Sequence, residues 1–329
     1  MYAKGFYIRI DGADSTLILR NPQDTASIYA ELNISSKKNT GLTLPLKRIT
    51  SLSATHLAFL SKLQKENTLV GFAGLQYVRV PSFKSLVDSG KIKELGLEDK
   101  INIEELIAIK PDVFMCYPTA SNSFHTIKQS GIPVLPLPDY FESHPLARAE
   151  YVVLFGILTG KTKESVNVFN RVKEQYVYIK NAQGKKEYTS IAGKPIDGTW
   201  YVPAGQSYVA QFLNDAGSTY TFNEVEGTNV VTKQIEEVIS TANKTDFWFF
   251  IHSAPESYSR QTLVNEHPSV ASLTCYKNNH IFMCNSESVD IFGEGIMEPH
   301  IILHDLVYAL YPAELKAYKP KYFKPLTAK

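Results

Sequence analysis

The 329 residues include only three cysteines, Cys116, Cys275 and Cys284. None stands in a C-x-x-C pair, which argues against a zinc ribbon or a thioredoxin-like redox site. An odd number leaves at least one thiol free. Cys275 and Cys284 flank a turn at residues 277–279 and are placed to pair; two inert buried thiols fit as well, since free Cys behaves as a small apolar residue. No apolar run approaches the ~18 residues that span a bilayer. Charge excess is missing too: 34 Lys and Arg face 33 Asp and Glu, a net charge of +1. That balance removes the electrostatic reason to bind nucleic acid or an anionic membrane. Neither glycine-rich phosphate loop, G-x-x-x-x-G-K-[ST] or G-x-G-x-x-G, occurs. The hydrolase elbow G-x-S-x-G is absent as well; residues 205–207 sit at a strand-to-helix turn but lack its second glycine. Residues 1–5 contain no apolar signal core. The protein is then either cytosolic or has lost a signal and gained a start Met.

The length predicts about two domains, at roughly 100–200 residues each. Apolar residues at 44% and charged residues at 20% are globular values, which excludes general disorder. Tyr, at 19, outnumbers Phe at 17. Tyr joins an apolar ring to a polar tip, so a surplus suits either wet binding surfaces or half-buried strands.

Along the chain, residues 6–10 and 16–20 read as a hairpin about a turn at 11–14, and residues 27–34 add a third strand. From residue 48 short strands alternate with helices: strands at 49–52, 69–72, 113–116 and 132–136, and helices at 54–63, from 103, and at 123–129. Two helices follow without a strand between them, from Pro145 to Gly160 and from Lys161 to about Asn181. Alternation then resumes with strands at 200–202, 247–251 and 280–283 and helices at 206–213, 235–242 and 299–310. Such alternation predicts parallel sheets covered on both faces. The fold class is α/β: two Rossmann-like lobes joined by a rigid connecting helix, with an N-terminal β extension. Expected boundaries are 1–45 for the extension, 46–144 for the first lobe, 145–184 for the connecting helices and 185–329 for the second lobe. In open α/β sheets the loops at the carboxyl ends of strands face the binding crevice, here expected between the lobes.

Four segments in this order resemble one family. They are NIEELIAIKPDV at 102–113; PLARAEY at 145–151 with FGILTGK at 155–161; WYVPAGQSY at 200–208 with DAG at 215–217; and EEVISTA at 236–242 followed by TDFW at 245–248. The chain resembles the substrate-binding proteins of bacterial ABC importers for iron complexes and cobalamin over roughly residues 46–315. The hairpin resembles extensions in members from Bacteroides-like bacteria. Family members often carry Gly where Ala204 stands. The resemblance implies that Glu104 and Glu236, one on each lobe, dock into arginine pockets of the permease. Both stand near helix N-termini, where a carboxylate is stabilised, and Arg–carboxylate pairs are directional. Adjacent Glu105 and Glu237 leave each assignment open by one position.

Loop positions after strands supply the candidate ligand contacts. Ser53, Thr55 and His56 follow the first strand of the first lobe, Tyr77 and Arg79 the second, Tyr117 the third, and Tyr140 the fourth. Trp200, Tyr201, Ser207 and His252 come from the second lobe, and Phe292 and Glu294 from the loop before Pro299. Aromatic walls with a few polar anchors suit large metal complexes, and Arg79 suits an anionic siderophore or a propionate. His56 is placed as a haem-iron ligand or as a loop His bonded to backbone. His300 and His304, four apart on a helix, read as a solvated face, and Arg148 and Glu150 as braces of the connector.

These readings make the chain a binding protein rather than an enzyme. It needs no cofactor or resident metal; its cargo is a small-molecule metal chelate, namely an iron–siderophore complex, haem or cobalamin. The chelate passes to an ABC permease and its ATPase. The expected protein is a monomer, exported to the periplasm or cell envelope, with its signal peptide and any lipidated cysteine outside this chain. It meets the membrane only through that anchor and binds no nucleic acid. One alternative is a free zinc or manganese carrier, with His56 and Glu294 as ligands. The other is a two-lobed redox or chelatase enzyme, with Glu142 and His144 as acid and base.

Overall fold

The computed structural model describes residues 1–12, 14–35, 41–97, 100–118, 122–182 and 188–328. Ala13 of the expected hairpin turn and the expected 184/185 boundary lie outside the described residues. The chain divides into two compact units. Unit 1 comprises Met1–Glu142, Leu146–Arg171 and Phe292–Met297; unit 2 comprises Ser143–Pro145, Val172–Ile291 and Glu298–Lys329.

Unit 1 opens with strands β1 (Phe6–Asp11), β2 (Asp14–Arg20), β3 (Ile28–Ser35) and β4 (Leu42–Thr43), which form a sheet in that order. The hairpin and third strand expected from the sequence are therefore present. Leu17, Ile18 and Leu19 are all fully buried, so successive residues of β2 are covered on both faces. The chain continues through β5 (Ile49–Ser51), α1 (Ala54–Lys62), β6 (Leu69–Phe72), α2 (Pro81–Asp88), β7 (Lys93–Glu94), the small pair β8 (Gly96–Leu97) and β9 (Lys100–Ile101), α3 (Ile103–Ala108), β10 (Val113–Cys116), α4 (Asn122–Gln129) and β11 (Val134–Pro136). A five-stranded parallel sheet results, in the order β11-β10-β5-β6-β7. Interior strand β10 is buried at all four positions, as a strand covered by helices on both faces must be. Helices α5 (Pro145–Thr159) and α6 (Thr162–Asn181) follow. They turn at Gly160, whose φ of 72° suits glycine. A Cβ on Gly156 of α5 would run into the Ser165 side chain of α6, so the two helices meet at a position only glycine fits.

Unit 2 holds β12 (Tyr188–Ala192), β13 (Pro195–Ile196), β14 (Thr199–Pro203), α7 (Tyr208–Asp215), β15 (Ser218–Tyr220), β16 (Val230–Gln234), α8 (Ile235–Ala242), β17 (Phe247–His252), α9 (Arg260–Glu266), α10 (Thr274–Lys277), β18 (Ile281–Asn285), α11 (Pro299–Leu310) and β19 (Lys324–Pro325). Its main sheet runs β15-β12-β17-β18-β19, parallel except for β19. The strand read at 200–202 is not one of these. It is the centre of a separate antiparallel sheet, β13-β14-β16, whose partner β16 (VVTKQ) is exposed or half-buried throughout. Trp200 and Trp248 pack ring to ring with centroids 4.9 Å apart, joining the two sheets through the core. Cys116, Cys275 and Cys284 are buried free thiols, and burial pushes Cys275 and Cys284 up to about 12, so both stay protonated and inert. The C-terminal tail is strapped to α11: Asp305, fully buried, accepts from Tyr318 Oη (2.5 Å) and from the backbone N–H groups of Tyr322 and Phe323.

Candidate functional site

In unit 1 the four parallel strands β11, β10, β5 and β6 end on the same edge of the sheet, so the loops after them share that edge. Tyr77 closes a single 3-10 turn after β6 and is 62% exposed. The loop beneath it is shaped by Glu94, whose carboxylate accepts from the backbone N–H groups of Gly74, Leu75 and Gly96. Arg79 lies exposed just before α2. Tyr117 follows β10, half-buried against the apolar core. Tyr140, on the turn after β11, is 65% exposed, and its ring lies over the Arg148 guanidinium at 5.2 Å. Phe292 is 60% exposed and half-buried Glu294 follows it; these residues belong to unit 1, where the turn at Glu294–Met297 packs on α1. The exposed candidates of unit 1 are thus three aromatic rings and one arginine.

Two first-unit candidates point inward instead. His56 is fully buried. Ser51 Oγ, which accepts from the Ser53 N–H, lies 2.7 Å from His56 Nδ1, and Asp139 Oδ1 lies 3.5 Å from His56 Nε2. A haem-iron ligand needs an accessible nitrogen, and this imidazole has none; it joins the β5–α1 loop to the 139–141 turn. Ser53 is buried at the N-cap of α1, where its hydroxyl donates to half-exposed Thr55 rather than outward.

In unit 2, Trp200 is fully buried and its Nε1 donates to the Ala192 carbonyl, which makes it a core residue and not a ligand wall. Tyr201, one residue on, alternates to the open face of β14 and is 43% exposed. Ile196 and Val230 lie exposed on the same face, a pairing the sequence does not reveal because it depends on the register of three short strands. Ser207 is the buried N-cap of α7, accepting from Ala210 N–H at 3.2 Å. A Cβ on neighbouring Gly205 would collide with the Asn223 backbone carbonyl, which explains the glycine there. His252 ends β17 half-buried against the Tyr258 ring; burial and then Lys194 hold it below the ordinary histidine range.

The connector residues are tied to main-chain groups. Glu150 is nearly buried and accepts from the N–H groups of Tyr2 and Ala3. Arg148 donates to the carbonyls of Glu142 and Tyr140. Glu142 is buried, its Oε1 taking N–H bonds from Lys4 and Gly5, and burial raises its pKa despite those bonds. Burial holds the His144 imidazole below its ordinary value. His304 is not on a solvated face, since Tyr318 stacks on its ring at 3.9 Å. Glu104 is exposed in the first turn of α3, beside half-buried Glu105. Glu236 is exposed on α8, whereas the next residue, Glu237, is taken up by Lys233. Among the described residues no group of three or more His, Cys, Asp or Glu side chains is placed to hold a metal ion. No described helix is long and apolar enough to cross a membrane.

Two parallel-sheet units with candidate residues at strand ends match a known sequence family. Its profile, described as periplasmic binding protein, covers residues 49–288. The chain belongs to the periplasmic binding protein family. That membership makes it a solute-binding protein. This periplasmic binding protein is 24% identical over 330 residues to an uncharacterized lipoprotein of Methanocaldococcus jannaschii, covering 97% of this chain and 78% of that protein. Its fold matches the triscatecholate siderophore binding protein FeuA of Bacillus subtilis, complexed with ferri-bacillibactin, with a TM-score of 0.65 at 18% identity, over 83% of this chain and 95% of that one. It also matches a periplasmic heme binding protein of Pseudomonas aeruginosa with a TM-score of 0.63 at 14% identity, over 86% and 99%.

Proposed function

We propose that this protein captures an iron–siderophore complex, haem or cobalamin and delivers it to an ABC permease. The observation that carries the reading is the exposed set Tyr77, Arg79, Tyr140 and Phe292 on unit 1 of a periplasmic binding protein. Exposed rings normally cost hydrophobic free energy, and a bulky planar or lobed chelate recovers it. Arg79 supplies an anchor for an anionic group. Fold relatives that bind a ferric siderophore and a haem support the same cargo class. Thr55, Tyr117, Tyr201, His252 and Glu294 complete the proposed contacts, while His56, Ser53, Trp200 and Ser207 are read as supports because they are buried.

Titration with ferri-bacillibactin, a ferric hydroxamate, haemin and cyanocobalamin tests this, read by Tyr and Trp quenching and by native mass spectrometry. A tight one-to-one complex with one of them is expected; no binding across the panel refutes the reading. Glu104 and Glu236 are the proposed permease contacts, Glu236 favoured over Glu237 because Lys233 occupies the latter. Glu104→Arg with Glu236→Arg is expected to abolish uptake while leaving ligand affinity intact; unchanged uptake refutes that assignment. Export to the periplasm or envelope, with a lipid anchor on an upstream cysteine, accords with the lipoprotein relative.

A further inference from the structure

The turn that presents Tyr140 is attached to its surroundings on three sides. Asp139, buried, faces His56 Nε2 at 3.5 Å, and His56 is in turn tied to Ser51 at the end of β5. The Tyr140 and Glu142 carbonyls both accept from one arginine, Arg148 of α5, which also lies over the Tyr140 ring. The third attachment comes from the chain's first residues. Glu142 Oε1 accepts the backbone N–H groups of Lys4 at 2.8 Å and Gly5 at 2.7 Å, more than 130 residues away in sequence. Gly5 packs so closely here that a Cβ would stand 2.7 Å from Pro138 and 3.1 Å from the Glu142 carboxylate. The N–H groups of Tyr2 and Ala3 go instead to Glu150, a residue of α5.

We propose that the N-terminal segment Lys4–Gly5 is a positioning element for the ligand contact Tyr140, acting through the Glu142 carboxylate. The extension that precedes the family-matched region thereby takes part in recognition. The proposal rests on the reading of Tyr140 as a ligand contact. Two main-chain donors on one carboxylate oxygen fix its direction as well as its distance, and a side chain held before the ligand arrives loses less freedom on binding.

The two carboxylates provide the test. Glu142→Ala cuts the link from extension to turn, and Glu150→Ala frees the same segment two residues earlier without touching the turn. The probe is 3-fluorotyrosine placed at Tyr140 and read by ¹⁹F NMR in the absence of ligand, followed by the affinity for whichever panel compound the wild type binds. The expected result is a shifted and broadened Tyr140 resonance with about tenfold weaker binding for Glu142→Ala, a difference of about 1.4 kcal/mol. Glu150→Ala is expected to show the wild-type resonance and affinity within twofold, and Glu142→Gln, which keeps an acceptor oxygen, to restore both. If Glu142→Ala does not fold, Lys4→Pro removes one donor alone and is read in the same way. An unmoved Tyr140 resonance in Glu142→Ala overturns the proposal. Equal effects in Glu150→Ala overturn it too, because they mean general loosening, as does a moved resonance with unchanged affinity. A wild type that binds no panel compound sinks the transport reading, while the resonance still decides whether the extension positions Tyr140.

Discussion

Replacing Asp305 with alanine should be among the most damaging single changes in unit 2. Asp305 is fully buried in α11 and accepts from Tyr318 Oη, from Lys321 N at 3.2 Å, from Tyr322 N at 2.5 Å and from Phe323 N at 3.0 Å. Alanine leaves two buried main-chain donors, those of Tyr322 and Phe323, with no acceptor, at about 1–3 kcal/mol each. Peeling the tail away to hydrate them exposes Tyr322, Phe323 and Leu326, at about 1.5–3 kcal/mol per side chain. The unpaired donors cost about 2–6 kcal/mol together and peeling the tail away about 4.5–9 kcal/mol, so the first route sets the loss, close to the roughly 3–5 kcal/mol seen when one partner is removed from a buried charged network. The assay is urea unfolding followed by tryptophan emission. Both tryptophans, Trp200 and Trp248, lie in unit 2, so the signal follows that unit alone. The midpoint should fall with little change in slope, and trypsin should cut rapidly after Lys321, whereas Lys319 is protected by the proline that follows it. Asp305→Asn keeps one acceptor oxygen and should lose about half as much. The pH dependence has a definite sign. Burial raises the Asp305 pKa in the folded state, outweighing its hydrogen bonds. Its contribution is therefore present at low pH and lost as pH rises through the folded pKa. The stability gap between wild type and Asp305→Asn should narrow as pH increases above the usual carboxylate range. A loss below about 1 kcal/mol in Asp305→Ala, with a trypsin-resistant tail, would refute the claim that this carboxylate holds the tail.

Two further outcomes follow from packing and titration. Gly156→Ala should destabilise the α5–α6 pair by about 1–3 kcal/mol through overpacking, because the new methyl meets Ser165; differential scanning calorimetry checks it, and Gly156→Ala with Ser165→Gly should recover much of the loss. His144, His252, His267 and His304 all have depressed pKa values, chiefly from burial. A histidine held neutral in the fold contributes stability above its unfolded pKa of roughly 6.5 and loses it as pH falls below that. Thermal midpoints should accordingly drop between pH 7 and pH 5, and a flat profile there would contradict the buried-neutral assignment.

Much of the fold was legible because long elements carry their own periodicity. The strand read at 247–251, the paired helices from Pro145 to Asn181 and the hairpin at 6–20 all stand where the sequence places them. Strands of two or three residues, such as β7, β13 and β15, are too short to show a period, and β16 reads as polar because one face of its sheet is open. The candidate site was legible to the level of which loops carry it. Sequence cannot tell an exposed ring from a buried one at adjacent strand positions, which is why Trp200 and Tyr201 part ways. His56 shows the same limit: a helix beginning at Ala54 turns its third residue into the core. Glu142 and Glu150 stood out as carboxylates, but their partners were hidden, since these are main-chain N–H groups near the start of the chain.

Unit 1 is not complete until late in synthesis. Its last piece, Phe292–Met297, follows the whole of the second unit's main run, and Ile296 and Met297 are buried where that turn meets α1. A ribosome making this chain from its first residue has produced both tryptophans, the antiparallel sheet and most of unit 2 before the closing turn of unit 1 emerges. Until then the surface of α1 that receives it stays uncovered. A fragment ending at Arg171 would keep that surface permanently open, so no single cut yields a complete unit 1.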